Sequence, residues 1–197
     1  DLGTSLAVQS RDEAQKLEEK FAGVRLARRG VRVTAVRCLG TPHPAGSAAL
    51  VAAGGRVVGL DDSITQLACD LVIDGILGIG GRPGLPDQVA ELVASVENRK
   101  LPVVAVDLPS GVAADTGAAP GPAVRATRTV TFGELKPCHL LQPALGYCGE
   151  VTVVDIGLGT DHDEPPDLEG MDEDELARAW PYPNERSDKY ARGAVGV

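Results

Sequence analysis

Short runs of apolar, β-branched residues recur along the chain, with stretches of helical spacing between them. Val31 to Val36, Val57 with Val58, Leu71 to Asp74, Val103 to Asp107, Thr129 to Phe132 and Val151 to Ile156 read as strands. Ser10 and Glu13 have capping-box spacing. Leu17, Phe21 and Val24 follow at i, i+4 and i+7 as the apolar stripe of a charged helix, which Gly30 stops. Ala45 to Ala53 reads as a small-residue helix closed by Gly54 and Gly55. Pro86 suits a first helical turn, and Val89, Leu92, Val93 and Val96 form the buried face of the helix behind it. Strands alternating with helices predict an α/β fold. The arrangement expected is Rossmann-like and three-layered, a mostly parallel sheet with helices on both faces.

The pattern changes after Gly159. Residues 160 to 175, TDHDEPPDLEGMDEDE, are acidic and hold Pro165 and Pro166, so they read as a solvated linker. A helix is expected around Glu173 to Trp180, and the last residues look like the opening of another strand. The organisation expected is one domain over 1–159, an acidic linker over 160–180, and the start of a further domain over 181–197, broken off there.

Composition narrows the classes of function. A length of 197 residues allows one domain with a full core. Aromatics make up only 3%, so that core is built from Val, Leu, Ile and Ala, which suits a covered parallel sheet. A net charge of −9 argues against a nucleic-acid surface, but helix ends and local loops still accommodate a small anionic ligand. Cys38, Cys69, Cys138 and Cys148 show neither CxxC nor metal-ligand spacing and read as reduced thiols of a cytoplasmic protein. No apolar run is long enough to span a membrane.

Two stretches carry candidate chemistry. In PVVAVDLPSGVAADTG an apolar run stops at Asp107, and Pro109, Ser110 and Gly111 turn the chain. In LVIDGILGIGGRPG the same arrangement ends at Asp74, followed by the loop Gly78, Ile79, Gly80, Gly81, Arg82, Pro83 and Gly84. Ligands of open α/β sheets bind outside the carboxyl ends of the strands, so two acids delivered there suggest one pocket. Glycines let backbone N–H groups turn toward a ligand, and an arginine after them reaches a phosphate with a bidentate fork. Plainer readings stand beside these: Asp74 and Asp107 as turn acids, Arg82 as a solvated loop charge. Lys136, after a third strand, is a further candidate for the same crevice, although the residues alone favour a solvated loop lysine. His139 is a candidate acid/base group, although one His in a loop after a strand reads more readily as a surface or packing residue, and His43 and His162 carry no supporting pattern.

DGILGIGGRPG, VAVDLPSGVAADTG, GPAVRATRTVTFGELKPCHLLQP and CGEVTVVDIGLG, in this order, resemble the YjeF N-terminal domain family, which contains the NAD(P)H-hydrate epimerases. The resemblance covers roughly residues 21 to 159, and SDKYARGAVGV resembles the start of an ADP- or ATP-dependent dehydratase domain. It implies an isomerase that interconverts the R and S epimers at C6 of the hydrated nicotinamide in NADHX and NADPHX, a repair step coupled to a fused dehydratase, which is a lyase. It further implies Asp107 as the acid/base residue and Asp74 and Ser110 as ligands of a potassium ion. Residues 78 to 84 then line the substrate pocket, and Lys136 is taken with them as substrate-binding. Oligomeric state is left open between a monomer and a homo-oligomer. The family's phosphate loop, GxGNNGGDG, does not precede FAGVRLARRG, and neither the loop nor its strand is expected within Asp1 to Lys20, which points to residues omitted between Lys20 and Phe21. That departure supports the competing reading, a non-catalytic nucleotide-binding or protein-interaction domain on the same scaffold.

Overall fold

The computed structural model describes residues 4–8, 22–40, 44–60, 68–77, 80–157, 168, 170, 171 and 173–179. Its centre is a seven-stranded parallel sheet of β1 (Thr4–Val8), β2 (Arg32–Arg37), β3 (Arg56–Gly59), β4 (Leu71–Asp74), β5 (Val103–Val106), β6 (Arg128–Phe132) and β7 (Glu150–Val154). The spatial order is β3-β2-β1-β4-β5-β6-β7. Strand succession therefore reverses between β1 and β4, which makes that junction the topological switch point of a doubly wound sheet.

The helices are α1 (residues 22–28), α2 (Pro44–Ala52), α3 (Asp87–Asn98), α4 (Leu145–Cys148) and α5 (Glu173–Ala179), with a 3-10 turn at Pro137–His139. Period-2 alternation along β2 divides the core. Val33 and Ala35 pack with Val24 of α1 and Leu50 of α2. Val36 packs on the other face with Val72, Val103, and Val89 and Leu92 of α3. Helices thus cover both faces, as the alternating pattern predicts.

α1, α2 and α3 end on one motif. In α1 the Gly30 and Val31 N–H groups return to Ala27 and Leu26 carbonyls, and in α2 those of Gly54 and Gly55 return to Val51 and Leu50. Both glycines take positive φ, as this left-handed cap requires. α3 makes the same bonds with Lys100 and Leu101, so a lysine sits at φ 53 where glycine is the usual residue.

One expectation is corrected here. Residues 1–20 were expected to hold no strand, yet Thr4–Val8 is an interior one, third of the seven, paired in parallel with β2 from Thr4↔Arg32 to Val8↔Val36 and with β4 from Ser5↔Leu71 to Ala7↔Ile73. The run Leu6, Ala7, Val8 is too short to show a period of its own. Without it β2 and β4 would be separated by about 4.8 Å more than a ladder spans. The capping box at Ser10 and Glu13, and the stripe residues Leu17 and Phe21, lie outside the described residues.

Residues 1–160 and 161–197 form separate compact units. In the second, α5 begins at Glu173, as expected, and residues 181–197 lie outside the described ones. Among the described residues no helix is long and apolar enough to cross a membrane.

Candidate active site

Neighbouring strands β4, β5 and β6 bring the candidate residues to the carboxyl edge of the sheet. Asp74 closes β4 opposite Ala105, and Asp107 stands two residues beyond Ala105. The Asp107 N–H still donates to the Val130 carbonyl at 2.7 Å, so β5 and β6 remain paired up to the acid. There the chain turns sharply. Asp107 has φ 71, and the Leu108 N–H folds back to the Val106 carbonyl at 3.0 Å. A left-handed aspartate costs on the order of 1 kcal/mol or more and persists only where its surroundings hold it.

Those surroundings are specific. Asp107 Oδ1 accepts from Thr131 Oγ1 at 2.8 Å and from Lys136 Nζ at 2.5 Å. Lys136 Nζ also donates to Thr131 Oγ1 at 2.7 Å and to the Phe132 carbonyl at 3.1 Å. All three ammonium hydrogens are thereby used inside the protein. Among the described residues Asp107 Oδ2 has no partner. His139 is buried and holds the turn from behind: its Nδ1 accepts the Lys136 N–H at 3.0 Å, and its Nε2 lies 2.9 Å from the Asp107 carbonyl oxygen. These partners assign a neutral ring with the proton on Nε2, donating to that carbonyl. Burial pushes the imidazole below its ordinary value, which keeps it neutral.

Asp74 is fully enclosed, 1% exposed. Its Oδ1 accepts from Ser110 Oγ at 2.7 Å and the Ile76 N–H at 3.2 Å, and its Oδ2 from the Ser110 N–H at 2.8 Å. Ser110 Oγ in turn accepts the Leu77 N–H at 2.9 Å and lies 3.3 Å from the Leu77 carbonyl oxygen. Every donor to Asp74 is neutral, and burial raises its carboxyl above the usual range. Asp74 Oδ, Ser110 Oγ and the Leu77 carbonyl form a cluster of hard oxygens around an uncompensated carboxylate.

The turn is fixed against the glycine loop. The Gly84 N–H donates to the Gly111 carbonyl at 2.8 Å, and the Val124 N–H to that of Ser110 at 2.8 Å. Gly111 has φ 101, and a Cβ there would lie 2.6 Å from the Pro122 oxygen, so the PSG turn has room for no other residue. Gly80, Arg82 and Pro83 are exposed and Gly81 half-buried, while Gly78 and Ile79 lie outside the described residues. The structure gathers Asp74, Ser110, Asp107 and Lys136, and it ties Gly84 to them. Lys136 is no solvated loop lysine, as the residues alone suggested. Thr131 is a participant that the sequence reading passed over. Its signal was the buried alternation of Thr129 and Thr131 along β6.

A mostly apolar cavity of about 440 Å³ lies under α3 among Val72, Ile76, Val96, Leu101 and Val124 and reaches Asp74, but it touches neither Asp107 nor Lys136. The four cysteines are buried and unpaired. Burial pushes Cys38 and Cys138 up to about 12, Cys148 to about 11 and Cys69 above its ordinary value, which favours the thiol over the nucleophilic thiolate in all four. Among the described residues no cluster of three or more His, Cys, Asp or Glu is placed to hold a metal ion.

A doubly wound parallel sheet with two acids at its carboxyl edge defines a Rossmann-like α/β domain. The family of the YjeF-related protein N-terminus matches residues 21–138, and this chain belongs to that family. It is 45% identical over 180 residues to the bifunctional NAD(P)H-hydrate repair enzyme Nnr of Mycobacterium tuberculosis, covering 90% of this chain and 35% of that protein. It is 40% identical over 156 residues to a protein of Clavibacter michiganensis named NAD(P)H-hydrate epimerase, covering 70% of this chain and 66% of that one. The chain thus spans about a third of the length of the bifunctional relatives it matches. The crystal structure of yeast ynu0 (YNL200c) has a TM-score of 0.57 at 16% identity, over 79% of this chain and 65% of that one, a likeness of fold.

Proposed function

We propose that this domain is an isomerase that interconverts the R and S epimers of NADHX and NADPHX at C6 of the hydrated nicotinamide ring. The observation that carries the reading is Asp107, whose Oδ1 is held by Thr131 and Lys136 while Oδ2 has no partner among the described residues. The ring nitrogen of the substrate is an enamine and helps to expel the C6 hydroxyl. Asp107, once Oδ2 has taken a proton from solvent, passes it to that hydroxyl; water departs, and a cationic ring remains beside the carboxylate. Water then adds to the opposite face and returns its proton to Oδ2. Proton and water both balance, and nothing is oxidised or reduced.

Lys136 acts in this reading through Asp107. Its charge and the Thr131 hydroxyl hold one carboxyl oxygen, so the other is aimed and stays the basic one. A fixed carboxylate beside a developing ring cation also stabilises that charge. Residues 78–84 carry backbone N–H groups and Arg82 for the substrate's phosphates.

Asp74 and Ser110 fit a monovalent cation such as potassium. They offer only hard oxygens, and Asp74 is buried with no positive partner among the described residues. Asp74 and Ser110 would hold such a cation, which would supply the positive charge that keeps Asp74 ionised. The domain would work beside a second half, as the word bifunctional in its relatives' names suggests; the resemblance of SDKYARGAVGV makes that half an ADP- or ATP-dependent dehydratase, and the buried, unpaired thiols suit the cytoplasm.

The test is an NMR or chromatographic measurement of R to S interconversion, with potassium and with a bulky organic cation in its place. Interconversion that falls when potassium is withdrawn is the expected result. A protein that never equilibrates the epimers supports the non-catalytic reading, to which the lack of a GxGNNGGDG sequence lends weight.

A further inference from the structure

Arg37 is the last residue of β2. The four residues before it are buried, and Arg37 emerges exposed at the carboxyl edge of the sheet. Among the described residues its guanidinium has no ion pair or hydrogen bond. Its register partner on β3 is Gly59, which has no side chain to cover it. It continues the alternation of Val33 and Ala35, so it stands on the side of the sheet where α1 packs.

The surrounding charge is one-sided. Between residues 21 and 60 the chain carries Arg25, Arg28, Arg29, Arg32, Arg37 and Arg56 and no Asp or Glu, although the net charge of the protein is −9. Arg32 and Arg56 start β2 and β3 at the opposite, amino edge, and Arg28 and Arg29 end α1 just before β2. Of the six, Arg37 is the one that a strand carries to the edge where ligands bind. A basic segment in an acidic protein, with its one edge-facing guanidinium unneutralised, marks a place for an anionic group.

Topology says which group. A dinucleotide on a doubly wound sheet lies across the switch point with one nucleoside on each side. The switch point here is β1/β4, and the reacting acids stand on β4 and β5. The adenosine half then falls beyond β1, over the ends of β2 and β3. From β2 to β5 is three strand spacings, roughly 14 Å, about the reach of an extended dinucleotide. At the end of the second strand an acid accepts a hydrogen bond from the ribose 2′-hydroxyl, whereas an arginine accommodates a 2′-phosphate. We propose that Arg37, at the open carboxyl end of β2, recognises the 2′-phosphate of the adenosine ribose and directs the domain toward NADPHX over NADHX. The identity of the substrate rests on the epimerase reading; the recognition of a 2′-phosphate does not.

Two measurements on wild type, Arg37→Gln and Arg37→Asp separate these claims. The first is kcat/KM for epimerisation of NADPHX and NADHX. In Arg37→Gln the NADPHX value should fall by about 10- to 100-fold, the scale of a lost charge-assisted hydrogen-bonded pair, while NADHX stays within about threefold. Arg37→Asp should reverse the preference. The second, by calorimetry, compares binding of 2′,5′-ADP with that of 5′-AMP, which differ only in the 2′-phosphate. Wild type should bind 2′,5′-ADP more tightly, and Arg37→Gln should remove the difference. If wild type shows that binding preference, Arg37→Gln loses it and neither epimerises anything, the Arg37 site stands and the epimerase reading fails. If the variants leave both the kcat/KM ratio and the binding difference unchanged, the proposal is overturned. Arg37 is exposed and outside the core clusters, so the variants should fold as wild type, with Arg37→Lys as a control that keeps the charge and loses the fork.

Discussion

Asp107 and His139 depend on each other. The left-handed turn at Asp107 sets its carboxyl group at the carboxyl end of β5, and it is held by a carbonyl that accepts from a neutral imidazole. That imidazole is held in turn by the backbone of Lys136, whose ammonium group grips the carboxylate. The loop therefore closes on itself through three side chains, and its weak point is protonation. His139 is pushed below its ordinary value by burial, so the unfolded chain takes up its proton near pH 6.5 while the folded chain resists. In that window the unfolded state binds more protons. The stability due to His139 is complete above about pH 6.5 and is lost as pH falls through the lower folded value. In His139→Gln, which keeps a polar side chain but does not titrate, the unfolding free energy should change less with pH between about 7 and 5 than in wild type. Urea titrations at several pH values measure this, and equal slopes in the two proteins would remove His139 as the titrating group.

At the scale of the element, α3 shows how a local rule is broken without damage to the site. Its cap has the hydrogen bonds of the glycine-ended helices, with Lys100 at φ 53. A left-handed L-residue costs about 1–2 kcal/mol, and glycine brings its own entropic cost of about 0.5–1 kcal/mol. Lys100→Gly should thus stabilise the fold by about 0.5–1 kcal/mol, read as a rise in Tm, with unchanged activity. The substitution changes no core side chain, since Val89 and Leu92 hold α3 to the sheet. A fall in Tm would show that the lysine side chain contributes more than the backbone strain costs.

Across the whole molecule, the strands and helices whose apolar positions repeat were legible from sequence, and so were the acids that end two of the strands. Leu71–Asp74 and Asp87–Asn98 lie where their patterns put them. β1 was not legible, because five residues paired on both sides show neither alternation nor a helical stripe. Lys136 was a candidate for the crevice by its place after a third strand, yet the residues alone favoured a solvated lysine, because nothing in its neighbours' spacing shows that β5 and β6 converge on it. The backbone role of His139 was hidden for the same reason. Contacts that join strand ends across the sheet leave no period in the chain.

The central claim is that Asp107 moves the proton in epimerisation, and Asp107→Asn tests it most directly. The change keeps the size of the side chain and suits the left-handed turn, since asparagine is among the residues that tolerate it best. It removes the basicity. With wild type and variant matched for folding by circular dichroism and Tm, the rate of R to S interconversion should fall by on the order of 100-fold or more. An Asp107→Asn protein that is folded and equilibrates the epimers as fast as wild type would contradict the account.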